Sequence, residues 1–515
     1  MGLRKMWRKV RTSLNERPHN LLAISDLHLG ADLKMGARPQ ALARPRPIDA
    51  PLAAFLDHHA TARQNGKPWR LILNGDIVDF VAITQTPAPG EAIPFEVTAD
   101  EQEIGLGCEE LKCVWKLQRT FERHPTVFDA LARFILKGNS VHIIRGNHDA
   151  EFRWPAVQAE FRRLISARTG LSERRLSHRI EFHDWFYLEP GFFYAEHGNA
   201  HDHYSLQEGF FDDAPEHKLP LSSQVLRYFV NRYSEQVDLD DVDTWGVKEY
   251  LDWVLKAGNP LRIAADYFVM VFRVIYPIIR QSLRLSRAVV RAADKTLAAK
   301  APARVHRMLE KFQGTEKQAQ QLVAIASRPA EQSLFDSMQL FYLDRMLLAL
   351  LSLAGAWSLE SVVHGFWARA GALTGVGILF AAVNALLGGK RRTDAHPMLL
   401  QAARRVAQVF DVKYIVMGHS HRPVEQPVGN GVRYFNLGAW TKGVEGFPHV
   451  AVVNGVAELR RWKVPQRTAA AAEATPRSPL PVAVARIPVV AAQVRKDVAP
   501  ETVSTAPDPQ HTAAA

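Results

Sequence analysis

Cysteine is nearly absent. The 515 residues include two, Cys108 and Cys113. Two thiols build no disulfide framework, and their spacing is not CxxC. They read as buried or half-buried thiols in a reducing compartment. The opening MGLRKMWRKVRTSLNERPHN is basic with no continuous apolar stretch, so it is not expected to act as a secretory leader. Residues 1–19 are a basic lead able to touch anionic lipid as a short surface helix, and the main body is expected in the cytoplasm. No internal repeat occurs, which excludes a repeat array. From residue 464 onward there is no aromatic residue and no periodicity, so 464–515 is expected to be a disordered tail.

What remains is ample. Hydrophobic residues make up 47% of the chain, enough for a large core, and the length allows two or three domains. Lys and Arg exceed Asp and Glu by 11. Such an excess favours phosphates, nucleic acid or anionic lipid as partners and says nothing of fold.

Four short apolar runs have the length and composition of strands: 20–25 (NLLAIS), 69–74 (WRLILN), 141–145 (VHIIR) and 412–417 (VKYIVM). Each is followed at once by Gly or by polar residues of ligand type. Helical patterns fall at 51–64, at 108–137 with a break at Pro125, and at 396–410. Further strands are expected at 180–188, 192–196, 432–437 and 449–462. This alternation predicts an α/β fold. In such sheets functional residues collect at strand ends.

The polar residues at those ends form a set: Asp26 and His28 in SDLHLG, Asp76 and Asp79 in NGDIVDF, and Asn147, His148 and Asp149 in RGNHDA. His197 in AEHGNAHD and His419 and His421 in GHSH complete it. Carboxylate, imidazole and amide oxygen suit a borderline-to-hard divalent metal. An Asp-x-His pair can place both side chains at one ion, and a second Asp can bridge to another. Two ions about 3.5–4 Å apart can clamp a phosphoryl group during in-line displacement.

Each motif alone is weak, but the five in this order resemble the calcineurin-like metallophosphoesterase superfamily. The resemblance covers 20–210 and 396–463 and implies an αββα sandwich. It implies that Asp26, His28 and His421 bind one metal, that Asn147, His197 and His419 bind a second, and that Asp76 bridges both. It further implies a dinuclear, metal-dependent phosphoric ester hydrolase acting through a bridging hydroxide. His148 would be the catalytic group at the leaving group, and Asp149 would orient it. Manganese is the metal favoured on family grounds, with iron and zinc also admitted. Asp79 is read either as a residue that orients a ligand or braces the loop, or as a plain turn residue, and Asn436 and Trp440 in YFNLGAWT as support beside the site. His201, Asp202 and His203 are expected to be solvated or to touch substrate. SDLHLG with an HGN block resembles the branch of the UDP-2,3-diacylglucosamine pyrophosphatases. That implies a phosphate ester or pyrophosphate substrate, plausibly lipid-linked. His148 departs from that branch, whose better-known members have Arg there.

Residues 211–395 read as a helical insertion. Within them 346–359 is uncharged, and so is 370–389, whose 20 residues match one bilayer span. Asp344-Arg345 precede the pair, Lys390-Arg391-Arg392 follow it, and Glu360, His364 and Arg369 lie between. The hairpin 346–389 is expected to enter a membrane. A buried or dimer-forming hairpin is the alternative. If it crosses, it must cross an even number of times, because His419 and His421 have to reach the same site as Asp26. Upstream, Phe268, Phe272, Ile275, Ile279 and Leu283 form one helical face. Arg273, Arg280, Arg284, Arg287, Arg291 and Lys295 form another, with Pro277 expected to kink or split the helix. Such a helix suits either an anionic membrane surface or a solvated core helix. Two rival functions remain open. One is a soluble phosphodiesterase or nuclease, and the other is a metal-bound, non-catalytic interaction module.

Overall fold

A computed structural model describes residues 18–463, apart from 38, 212–217, 234–246, 257–258, 285–299, 391–393 and 442–445. Most of the basic lead, the tail 464–515 and the positions Arg287, Arg291 and Lys295 therefore lie outside the described residues.

The apolar runs do form strands. β1 (Asn20–Ile24), β2 (Trp69–Asn74) and β3 (Ser140–Ile144) pair in parallel. Their continuous hydrophobicity is what parallel strands covered on both faces require. β4 (Ile180–His183) extends them, and the antiparallel hairpin β10 (Phe447–Val453) and β11 (Val456–Trp462) closes the other side, in the order β11-β10-β1-β2-β3-β4. A second mixed sheet runs β5-β6-β7-β9-β8, from β5 (Phe186–Glu189), β6 (Phe193–Glu196), β7 (Tyr414–Met417), β8 (Val424–Gly429) and β9 (Val432–Asn436). The protein is thus mixed α/β with two mixed sheets.

The inner faces meet in a core of Leu21, Ala23, Ile72, Ile144, Phe193, Val416, Phe435 and Val450. The alternate residues Leu22, Leu71 and Ile143 point outward. They pack on α1 (Asp49–Thr61), α2 (Glu110–Arg123), α3 (Pro125–Leu136) and α4 (Pro155–Thr169). Period-two alternation therefore feeds two cores from one strand.

Three strand expectations need correction. The run 180–188 is two strands in different sheets, because the chain changes sheet at Asp184-Trp185. The run 449–462 folds back at Asn454-Gly455, both at positive φ, as a two-residue hairpin turn requires. β8 was not expected, since Pro427 argues against a strand. It lies at the sheet edge with a register shift at that proline, where the missing N–H is tolerated.

Between β6 and the last helix lies the insertion. Its described helices include α5 (Leu221–Tyr228), α6 (Pro260–Arg284), α7 (Glu316–Ile325), α8 (Leu334–Leu340), α9 (Leu343–Val362) and α10 (Phe366–Lys390). α11 (Ala395–Val409) then covers the second sheet together with α7. α6 is not split at Pro277; that residue is exposed, so water can take the carbonyl its ring leaves without a donor. The expected apolar face of α6 is divided too. Ile275 is buried with Met270, Val271 and Val274, whereas Phe268, Phe272 and Ile279 are exposed. The side chains of Leu283 and Arg284 lie outside the description.

Candidate metal centre

The parallel strands β1, β2 and β3 end at one edge of the first sheet, and β6 and β7 end beside them in the second. The loops after these ends are stitched together. The N–H groups of Asp26, Leu27 and His28 donate to carbonyls of Gly75 and Asp76, and that of Gly418 donates to His197 O at 2.9 Å. Glycines let the loops approach. A Cβ on Gly75 would strike the His197 ring, one on Gly146 the Asp76 carboxylate, and one on Gly418 Ser25 and Asp26.

Backbone strain concentrates here. Asp26, His28, Asp76, His419 and His421 all have φ between 45° and 65°. They are half of the ten non-glycine residues in the left-handed region among the described residues. L residues held there cost about 1–3 kcal/mol each and persist where the surroundings dictate them, typically at functional sites.

The side chains gather in adjoining groups. Asp26, His28 and His421 offer ligand atoms within 4.8 Å of one another, and so do Asp76, His197 and His419. Asn147 joins the second group, its Oδ1 lying 3.2 Å from His197 Nε2. Asp76 Oδ2 stands 3.1 Å from the same nitrogen. His421 Nε2 is 3.1 Å from Asp26 Oδ1. The seven residues expected as ligands are thus brought to one place.

Three histidines have one ring nitrogen engaged on the side away from their group. His28 Nδ1 meets Asp79 Oδ2 at 3.0 Å, His197 Nδ1 meets the Asn74 carbonyl at 2.9 Å, and His419 Nε2 meets Asp202 Oδ2 at 3.0 Å. Metal-binding histidines are held in this way, with the second nitrogen fixed by a carboxylate or carbonyl. On the inner side, His28 Nε2 is buried without a hydrogen bond. Buried polar atoms are ordinarily paired. The donor set, the fixed rings and this atom fit divalent cations.

The electrostatics agree with a site that holds negative charge. Burial pushes the Asp76 carboxyl up, but His197 and His148 outweigh it and hold it well below the ordinary carboxylate range. Asp79 is likewise held below that range, burial being outweighed by His148 and His28. His197 is raised to about 9; burial lowers it and the carboxylates of Asp76 and Asp26 overcome that. Asp149 is pushed up to about 7 by burial and by the Asp76 charge.

One role differs from expectation. Asp149 was expected to orient His148. Its oxygens instead accept the N–H groups of Gly146 at 2.5 Å and Ile77 at 2.8 Å, tying the β2 and β3 loops together. The carboxylate beside His148 is Asp79, at 3.1 Å from Nδ1. Asp79 therefore links the rings of His28 and His148, so it is no plain turn residue.

His201 and Asp202 are buried, against expectation. His201 Nε2 meets Glu196 Oε1 at 2.8 Å, and Glu196 Oε2 accepts from Trp185 Nε1 at 2.7 Å. This network pins the turn that presents Asp202 to His419. Insertion residues cover it: Ser327 Oγ donates to His201 O at 2.7 Å, and Ala330 N to His203 O at 2.8 Å. Nothing in the local sequence signals that cover. Asn436 Nδ2 donates to Gly418 O at 2.6 Å, and Trp440 N to Asp26 O at 3.1 Å. Both brace the ligand loops as expected.

No protein-family model matches the chain, and no curated protein matches it in sequence.

Proposed function

We propose that the protein is a dinuclear metal-dependent phosphoesterase with the αββα sandwich of the calcineurin-like metallophosphoesterases. One observation carries this reading. His28, His197 and His419 each have one ring nitrogen fixed by an acceptor, and each stands with a carboxylate in a group whose ligand atoms lie within 4.8 Å of one another. Asp26, His28 and His421 would hold one ion and Asn147, His197 and His419 the other, with Asp76 available to both. Two divalent ions, manganese being favoured, supply Lewis-acid charge and lower the pKa of a water at that position.

The chain's own residues supply the rest. Asp79 accepts from Nδ1–H of His148 and favours the imidazolium, in which Nε2–H is the proton to be given. As the P–O bond breaks, His148 gives that proton to the departing oxygen, so that water and ester become phosphate and alcohol. General-acid help of this kind contributes about 10²–10⁴-fold. Asp149 acts on the backbone and keeps the Asn147 loop against the Asp76 loop. The substrate is a phosphate ester or pyrophosphate, plausibly lipid-linked, and the catalytic unit works on the cytoplasmic side of a membrane.

Metal titration of the full chain separates binding from chemistry. His148→Gln should retain two bound Mn²⁺ per chain and lose turnover by about 10²–10⁴-fold. Asp76→Ala should lose both. Full turnover in His148→Gln would remove it from the reaction.

A further inference from the structure

Beyond Leu343 and Asp344 at the start of α9, helices α9 and α10 join no core among the described residues. α9 exposes Leu347, Leu350, Leu351, Leu353 and Trp357, and α10 exposes Leu373, Ile378, Leu379 and Leu386. Over the most apolar window of each helix, none of the residues is buried. A protein partner would cover one face of such a hairpin and leave the others apolar in water. Only lipid solvates a helix that is apolar all round.

Polar residues mark two levels on the hairpin. At its root the Arg345 guanidinium donates to the carbonyl and side chain of Asn384. At its tip lie Glu360, His364 and Arg369, and Arg369 Nε donates to the Val363 carbonyl at 2.8 Å. Fifteen positions separate Arg345 from Glu360 and Arg369 from Asn384. At 1.5 Å per residue the uncharged run of α10, from Ala370 to Gly389, spans about 30 Å, whereas that of α9 between Arg345 and Glu360 spans about 22 Å. The α9 run is shorter than a hydrocarbon core of about 30 Å. Arginine at both levels closes the gap by extending its head group outward, and the bilayer thins locally. A charged tip has no place at the bilayer centre, so the hairpin cannot stop halfway. Trp357, Phe366 and Trp367 cluster near the tip and are exposed, as aromatic residues do at an interface.

The root is tied to the rest of the protein. Tyr267 Oη on α6 donates to the Phe341 carbonyl at 2.6 Å. α6 also exposes Phe268, Val269, Phe272 and Tyr276, with Arg273 and Arg280 on the same helix. In the sequence, Arg345 precedes the uncharged pair and Lys390, Arg391 and Arg392 follow it, whereas Arg369 is the one Lys or Arg between the two runs.

We propose that α9 and α10 cross a lipid bilayer completely, with the metal centre and both roots on the cytoplasmic face and the Glu360–Arg369 tip on the opposite face. α6 then lies along the cytoplasmic surface, its aromatic row in the lipid interface. This is independent of whether the metal centre is catalytic.

A Cys108→Ser chain carrying Ser361→Cys or Gln320→Cys tests it, using an impermeant maleimide on sealed vesicles of both orientations. Cys113 is fully buried and stays silent. The S361C thiol should label only from the face opposite to that which labels the Q320C thiol, and alkaline carbonate should leave the chain in the membrane. Labelling of both thiols from one face, or release by carbonate, would overturn the crossing.

Discussion

Replacing Gly146 by alanine should disable the metal centre without unfolding the protein. Gly146 has no positive φ, so alanine meets no backbone penalty there. The obstacle is space. A Cβ would stand 2.1 Å from Asp76 Oδ1, 2.9 Å from its Cγ and 2.8 Å from its backbone nitrogen. A carbon and an oxygen in contact need more than about 3 Å, so the carboxylate must retreat by about 1 Å, and metal ligands tolerate only about 0.2 Å. Overpacking of this kind costs about 1–3 kcal/mol of stability, which a large domain survives. Metal affinity should fall by about 100-fold, or about 2.7 kcal/mol. Gly170→Ala is the control. Its φ is +69° and nothing lies within 4 Å of the new Cβ, so it should cost roughly 1–2 kcal/mol through the left-handed backbone alone. Its metal affinity should be unchanged. Equilibrium dialysis against Mn²⁺ and thermal melting read both effects. Wild-type metal binding by Gly146→Ala would refute the argument that the Gly146–Asp76 approach shapes the site.

Other consequences follow from the same contacts. Asp202→Asn should weaken one of the two Mn²⁺ sites by about 10–100-fold and spare the other, because Asp202 fixes the His419 ring. Equal binding at both sites in titration would leave Asp202 a purely structural residue. Acid should destabilise the fold through histidines remote from the metal centre. Burial lowers His59 and His449 to about 4 and His183 to about 3, against an ordinary value of 6.5. Their folded pKa values are depressed, so their contribution is complete above pH 6.5 and is lost as pH falls toward 4. Each removes about 1.4 kcal/mol per pH unit in that window. Urea midpoints at pH 7, 6 and 5 should show the slope, and His449→Gln should flatten it; an unchanged slope would mean that His449 is protonated in the fold.

Much of this was legible in the sequence, for a definite reason. Parallel strands such as β1 and β2 are buried on both faces, so they read as unbroken apolar runs, and their ends are abrupt. WRLILN is bounded in the structure as it is in the sequence. What sequence spacing could not convey was contact across loops. Asp79 and Asp149 sit at comparable positions after their strands, yet only the fold shows that Asp79 reaches the His148 ring while Asp149 turns to the backbone. His201 and Asp202 look like surface residues because the segment that covers them, around Ser327 and Ala330, is over a hundred positions away. Which side of α6 is buried was hidden because the helix is apolar on both flanks, so periodicity alone does not say which flank meets the core.

The most direct test of the central claim is hydrolysis of bis-p-nitrophenyl phosphate by the full chain, first stripped of metal and then supplied with Mn²⁺. The account predicts no turnover in the stripped protein and turnover that rises as the second equivalent of metal binds. Two equivalents bound, with no hydrolysis of this ester, of a simple monoester or of a pyrophosphate, would contradict it and leave a metal-binding scaffold.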